Sequence, residues 1–253
     1  MSEYKIPKRL VDIKNSDKGW TERWTPNRAK DPGNFPHPSR IALIGPPSTG
    51  KSFICKHLLM HQRPFFKELY IIHGDADVTT EFDDLEPTMM MSTIPPVEFW
   101  DSQMKTLCII DDIEYSALSK EQMARLNKLF RYVSSHKNVT IYVTHQNFFS
   151  LPSLVRKLCT TFVIWKPRST TELKLIANRI GLKPETLTHI FETICTGYRD
   201  SLCVDFNQNT PSVFRRNIFE PINVKSEYDD LASSNEDTND NSDLVKQMKG
   251  IKL

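Results

Sequence analysis

The run IALIGPPSTGKSFICKHLL, residues 41–59, constrains the fold more than any other stretch of the chain. Four apolar residues, Ile41 to Ile44, break into an unbroken match to GxxxxGK[ST], and a segment free of proline and glycine follows. Gly45 and Gly50 let the backbone curl until its N–H groups converge, and the start of the following helix adds a partial positive charge. Together they form a cradle for phosphate oxygens. Lys51 is placed to reach the β- and γ-phosphates of ATP, and the Ser52 hydroxyl to hold Mg²⁺. The expected nucleotide-binding stretch is therefore Gly45, Pro46, Pro47, Ser48, Thr49, Gly50, Lys51, Ser52 and Phe53. An ordinary glycine turn with an incidental lysine leaves unexplained why Lys51 and Ser52 stand at a helix start.

A second apolar run, LCII, delivers Asp111 and Asp112 to its C-terminal end. In a parallel sheet that end lies on the same edge as the phosphate loop. Asp111 suits the Mg²⁺ shell, directly or through water, and Asp112 suits the group that orients or deprotonates an attacking water. A third run, VTIYVT, ends in His145, Gln146 and Asn147. Gln146, with Asn147 as the alternative, can touch the γ-phosphate or the water, because an amide donates and accepts at once. His145 reads as a structural neighbour. Arg131, Arg156 and Arg168 each follow one of these elements, and any of them could neutralise charge on the γ-phosphate in its own or an adjacent subunit. For any single one, a surface ion pair is the alternative.

Around these motifs, apolar runs at Ile41 to Ile44, Leu69 to His73, Leu107 to Ile110, Thr140 to Thr144, Thr161 to Lys166 and Ser201 to Asp205 read as strands. Helices are expected at Lys51 to Gln62, Pro96 to Gln103, Ser119 to Ser135, Leu151 to Leu158, Thr170 to Ile180 and Lys183 to Cys195. Strands rich in Ile, Val and Leu that alternate with helices imply an α/β fold, a mostly parallel sheet flanked by helices. The 253 residues suffice for one such domain with additions at its ends. We place it at 39–222. Residues 1–38 form an irregular basic arm broken by Pro26, Pro32, Pro36 and Pro38, with Trp20 and Trp24 expected to pack on their own domain. Residues 223–253 form an acidic tail, expected to be disordered because it is poor in apolar residues. From residue 226 onward, seven acids stand against three lysines, a net charge of −4 that leaves +6 on the rest of a chain whose total is +2. A mildly basic body is compatible with a polyanionic partner, but charge alone decides little.

No stretch approaches the roughly 20 apolar residues of a membrane helix, and the first residues lack the apolar core of a signal peptide. The expectation is a soluble protein made in the cytosol. Five scattered cysteines form no CxxC pair and read as reduced core thiols; with no HExxH pairing either, no zinc site is implied. Asp75 to Pro96 is a candidate mobile loop, or an ordinary surface connection.

With the phosphate loop, the acid-ending strand and the glutamine strand in this order, the chain resembles the P-loop ATPase class in which an extra strand separates the Walker A and Walker B motifs. More narrowly, it resembles the poxvirus-type DNA-packaging ATPases of large DNA viruses, virophages and Maverick-like elements, a branch of the FtsK-HerA group. The stretches that carry the likeness are GPPSTGKS (45–52), FKELYIIHGD (66–75), LCIIDD (107–112), LSKEQMARLNKLFRYVSSHKNVTIYVTHQ (118–146) and LPSLVRKLCTTFVIWK (151–166). The resemblance covers roughly residues 40–180. It implies a RecA-like core of the ASCE class, a homo-oligomeric ring of five or six subunits, and ATP hydrolysis coupled to moving viral double-stranded DNA into a preformed capsid. A capsid or portal-vertex partner is implied, as is residence in the host nucleus or a cytoplasmic virus factory, with association with the virion left open. Lys51, Ser52, Asp111, Asp112 and Gln146 keep the roles argued above, and Arg156 in LPSLVRK becomes the first choice for the arginine on the phosphate. Asp112 departs from much of the wider group, which has Glu there, and the resemblance therefore implies a different placement of the water by the shorter carboxylate.

Three other readings compete. A superfamily 3 type viral helicase shares the loop and the acid pair, and Asn147 would supply its third motif, but it keeps loop and acids closer together than Lys51 and Asp111 stand. A transporter-type signature, LSKEQ (118–122), follows the acidic strand rather than preceding it. The last is a nucleotide-binding switch or scaffold without DNA-coupled turnover, or a small-molecule kinase; an Arg-rich lid expected of a kinase is missing between the acids and Gln146.

Overall fold

The computed structural model describes residues 24–63, 65–207 and 209–224. One nine-stranded sheet organises them, in the order β3-β2-β4-β5-β1-β6-β7-β8-β9. The strands are β1 (Arg40–Ile44), β2 (Glu68–His73), β3 (Met89–Met91), β4 (Thr106–Asp111), β5 (Val139–His145), β6 (Thr161–Trp165), β7 (Ser201–Asp205), β8 (Phe214–Arg216) and β9 (Glu220–Pro221). From β3 to β6 every neighbouring pair is parallel, and β7, β8 and β9 continue the sheet antiparallel. Every residue of β4, β5 and β6 is buried, as expected for strands covered on both faces.

Alternate residues of β1 serve the two faces. Ile41 and Leu43 join Cys55 and Leu58 of α1 (Lys51–His61) on one side. Ala42 and Ile44 join the opposite core, which takes in α2 (Lys120–Lys128), α5 (Thr170–Ile180) and α6 (Pro184–Thr193). Helix α2 starts on Ser119, whose hydroxyl accepts from the Gln122 amide, and runs on through a π-helical turn, Leu129–Val133, into α3 (Ser134–His136). A shorter helix, α4 (Ser153–Leu158), precedes β6.

Three expectations need correction. The segment Asp75 to Pro96 is neither a free loop nor a plain connection: it buries Phe82 and Ile94 and supplies β3. Pro96 to Gln103 is not a helix beyond the single 3-10 turn Val97–Phe99. Tyr70 packs edge-on against both Phe99 and Trp100, with ring centroids 5.0 and 5.6 Å away, and drawing two consecutive aromatics onto one side chain takes Trp100 into extended backbone. Strands β8 and β9 lie beyond Asp205, where the sequence reading places no element before the domain ends.

Residues 24–38 of the arm lie on the sheet. Trp24 bridges to His37, Phe35 is fully buried, and Arg28 reaches Asp205. Trp20 and the acidic tail beyond Val224 lie outside the described residues. All five cysteines are buried free thiols. Among the described residues no helix is long and apolar enough to cross a membrane.

Candidate nucleotide-binding site

The phosphate loop leaves β1 under tight local constraint. The Gly45 amide donates to the His145 carbonyl at 3.1 Å, and a Cβ at Gly45 would stand 2.7 Å from Trp165 Cβ, so only glycine fits. Ser48 (φ 63°) and Gly50 (φ 101°) take left-handed backbone, which curls the loop. Gly50 is also the residue before α1, and no side chain caps that helix start, so its first N–H groups face the loop. Lys51 Nζ donates to the carbonyls of Gly45 (2.8 Å) and Pro46 (3.0 Å), inside the curl. Burial pulls its pKa below the usual lysine value, against the pull of Asp112 and Asp111.

Strand order then brings the acids alongside. β4 and β5 are neighbours, and β5 lies beside β1, so Asp111, Asp112, Gln146 and Lys51 share one edge. Thr144 joins the two acids: its hydroxyl donates to Asp111 Oδ1 and accepts from the Asp112 amide at 3.3 Å. Asp112 takes left-handed backbone (φ 45°), which turns its side chain back toward β5. There Gln146 Nε2 donates to Asp112 Oδ2 at 2.8 Å. The acid and the amide singled out as water-orienting and phosphate-reading groups are thus hydrogen-bonded to each other.

Asp111 is nearly buried, and burial raises its pKa, with the Thr144 bond opposing. Its second oxygen faces His73 Nε2 at 3.6 Å. The Asp75 amide donates to His73 Nδ1 at 3.0 Å, which leaves the ring proton on Nε2. A buried carboxylate compensated this weakly suits a hard divalent cation with oxygen ligands. Ser52 in the first turn of α1 and Asp111 are the residues that would hold Mg²⁺. His145 is buried; burial lowers its pKa, against the pull of Asp112 and Glu114, and its Nδ1 accepts from the Gln146 amide at 2.9 Å.

The arginines separate. Arg156 donates to the carbonyls of Phe148 (3.0 Å) and Phe149 (3.4 Å), securing the loop that carries Gln146. Arg131 lies toward the other edge: Arg40, the first residue of β1, donates to the carbonyl of the adjacent Phe130 at 2.9 Å. Arg168 is exposed and lines a cavity of about 230 Å³ together with Pro46, Pro47, Gln146, Asn147 and Glu172. Within that cavity Glu172 Oε1 accepts from the Phe148 amide at 2.5 Å, and burial raises the pKa of this carboxyl.

Thr144, His73 and Glu172 were not singled out from the sequence. Thr144 alone left a signal, standing two residues before Gln146, where the alternation of β5 puts both on one side.

No family model and no curated protein matches the chain. Among solved structures, it is similar to the genome packaging NTPase B204 from Sulfolobus turreted icosahedral virus 2 in complex with sulfate: 19% identity over 74% of this chain and 98% of that one, with a TM-score of 0.50. It is also similar to EssC (ATPases 2 and 3) from Geobacillus thermodenitrificans, at 12% identity over 81% of this chain and 43% of that one, again with a TM-score of 0.50. The fold is that of the RecA-like P-loop ATPases. At these identities the likeness is one of fold, and within that fold the phosphate loop follows β1, the acid pair stands at the end of β4 and Gln146 just past β5.

Proposed function

We propose that this chain is an ATP-hydrolysing motor that moves double-stranded viral DNA into a preformed capsid. The observation that carries the ATPase part is the Gln146–Asp112 hydrogen bond beside a loop whose lysine is already turned inward. Coupling the γ-phosphate reader to the water-orienting acid gives a site that responds to the presence of the third phosphate. The fold likeness to a protein described as a genome packaging NTPase, together with the sequence resemblance to the poxvirus-type group, supports the packaging part.

In this reading Lys51 neutralises the β- and γ-phosphates, and the N–H groups of the curled loop hold their oxygens. Mg²⁺, held by Ser52 and Asp111, would neutralise the developing charge. Asp112 orients the water and accepts its proton, and Gln146 keeps Asp112 aimed until phosphate is present. Arg156 acts through the Phe148–Phe149 loop as a positioning residue, and Arg168 is the arginine that faces the phosphate-loop cavity. DNA, a capsid or portal-vertex protein and a ring of five or six copies are the partners this reading requires.

The test is the steady-state ATPase rate with and without duplex DNA, with single-stranded DNA and Lys51→Ala as controls. Stimulation by duplex DNA that disappears in Lys51→Ala is the expected result. Stimulation by single strands alone would favour a helicase, and ATP binding without turnover a switch. Full ATPase activity in Lys51→Ala would overturn the assignment of the site.

A further inference from the structure

A tight turn before β7 holds an aromatic ring out in solvent beside the phosphate loop. Tyr198 is 64% exposed, yet its hydroxyl donates to the Pro47 carbonyl at 2.9 Å. The turn that carries it is fixed on every side. The Asp200 amide donates to the Gly197 carbonyl and the Gly197 amide to Asp200 Oδ2, both at 2.9 Å. Arg216 and Asn217 in turn hold the Asp200 carboxylate, at 2.9 and 3.0 Å. Trp165 donates through Nε1 to the Arg199 carbonyl at 3.0 Å, and the same side chain packs against Gly45 at the root of the phosphate loop. One buried tryptophan therefore sets the spacing between loop and turn.

The strand order gives this placement a direction. Asp111, Asp112 and Gln146 follow β4 and β5, on one side of β1, whereas the tyrosine turn precedes β7, on the other side beyond β6. A triphosphate whose terminal phosphate lies toward the acids runs across the loop with its nucleoside end toward β6 and β7. Exposure alone is ordinary, since Phe53 and Phe65 are as exposed as Tyr198; what sets Tyr198 apart is that its ring is held beside the phosphate loop, and a flat, immobilised ring costs little entropy to stack upon.

We propose that Tyr198 is the stacking platform for the nucleobase of the bound nucleoside triphosphate. The proposal rests on the reading of residues 45–52 as a triphosphate site, and it assigns the other end of that ligand. Removing an aromatic side chain on which a base stacks weakens binding by about ten-fold or more. Stacking is tolerant of base identity, so Tyr198 supplies affinity for the nucleoside rather than a choice among bases.

The experiment measures dissociation constants of the full chain for ATP and for inorganic tripolyphosphate, in the wild type, Tyr198→Ala and Tyr198→Phe, with folding checked by thermal denaturation. Tyr198→Ala should weaken ATP roughly ten-fold, leave tripolyphosphate unchanged and so erase most of the preference for ATP over tripolyphosphate. Tyr198→Phe, which keeps the ring and loses only the bond to Pro47, should stay close to wild type for both. Equal losses in the two variants, extending to tripolyphosphate, would mean that the hydroxyl merely braces the loop, and would overturn the proposal. So would an unchanged ATP affinity in Tyr198→Ala. A wild type that binds neither compound would instead remove the phosphate-site reading, and this inference with it.

Discussion

Two aspartates end their strands inside this sheet, and their surroundings are opposite. Asp111 closes β4 on the edge that carries the phosphate loop. Asp205 closes the antiparallel β7 and pairs with Thr161 at the beginning of β6, on the far edge. Asp205 is fully buried between Arg28 and Arg215 and accepts further bonds from Asn207 and Thr210. Burial by itself would raise its pKa; Arg28, Arg215 and the Asn207 amide outweigh that and hold it below the usual carboxylate value. Asp111 has a threonine hydroxyl and a histidine at 3.6 Å, and burial wins. A buried acid whose charge is met in full ties the arm to the sheet. In the function proposed above, one whose charge is met in part is left free to meet the Mg²⁺ that comes with ATP.

Breaking the compensated cluster should have the largest effect. Asp205→Ala leaves two buried guanidinium groups facing each other, and removing one partner of a buried ion pair costs about 3–5 kcal/mol. Thermal denaturation should show a melting temperature lower by roughly 6–20 °C. A fall of only a degree or two would mean that the arm and the sheet edge are not held by this cluster.

The next effect belongs to the phosphate edge and to chemistry rather than stability. Asp112→Asn keeps a side chain that Gln146 can meet but cannot take up a proton. Single-turnover hydrolysis should slow about 10²–10⁴-fold while ATP affinity changes little. An unchanged rate would show that another group positions the water.

The smallest effect sharpens the contrast directly. Because folding raises the pKa of Asp111, its ionisation costs stability in full above the folded-state value; that cost shrinks as pH falls from there toward the unfolded-state value of about 3.9 and is absent below it. Asp111→Asn should therefore raise the melting temperature of the nucleotide-free protein at pH 7 by roughly 2–4 °C, and the gain should be gone at low pH. Asp205 behaves in reverse. Its folded-state pKa is depressed, so its stabilisation is complete above about pH 3.9 and is lost only as pH falls through the lower folded value. Melting curves of both variants across pH 3–8 test this: parallel pH profiles would break the distinction between the two acids.

The parallel half of the sheet was legible because strands buried on both faces must be apolar throughout, as TLCIID and VTIYVTH nearly are. Strands β3, β8 and β9 have three, three and two residues, too few for any periodicity to register. The Arg28–Asp205 pair joins residues 177 positions apart, and nothing near either one advertises the other. Arg156 stood first through the resemblance of LPSLVRK, but sequence position does not reveal that its Nη1 donates to the Phe148 and Phe149 carbonyls.

What the sequence alone determined is the phosphate loop, the acid-ending strand and the glutamine beyond the third strand. Each is encoded by contiguous residues whose backbone conformations and neighbours are local. Tertiary structure decided which of these groups meet: Gln146 with Asp112 across 34 positions, and Tyr198 with Pro47 across 151. Those contacts depend on the order in which strands enter the sheet, set by the packing of both faces at once, and no local pattern carries that information.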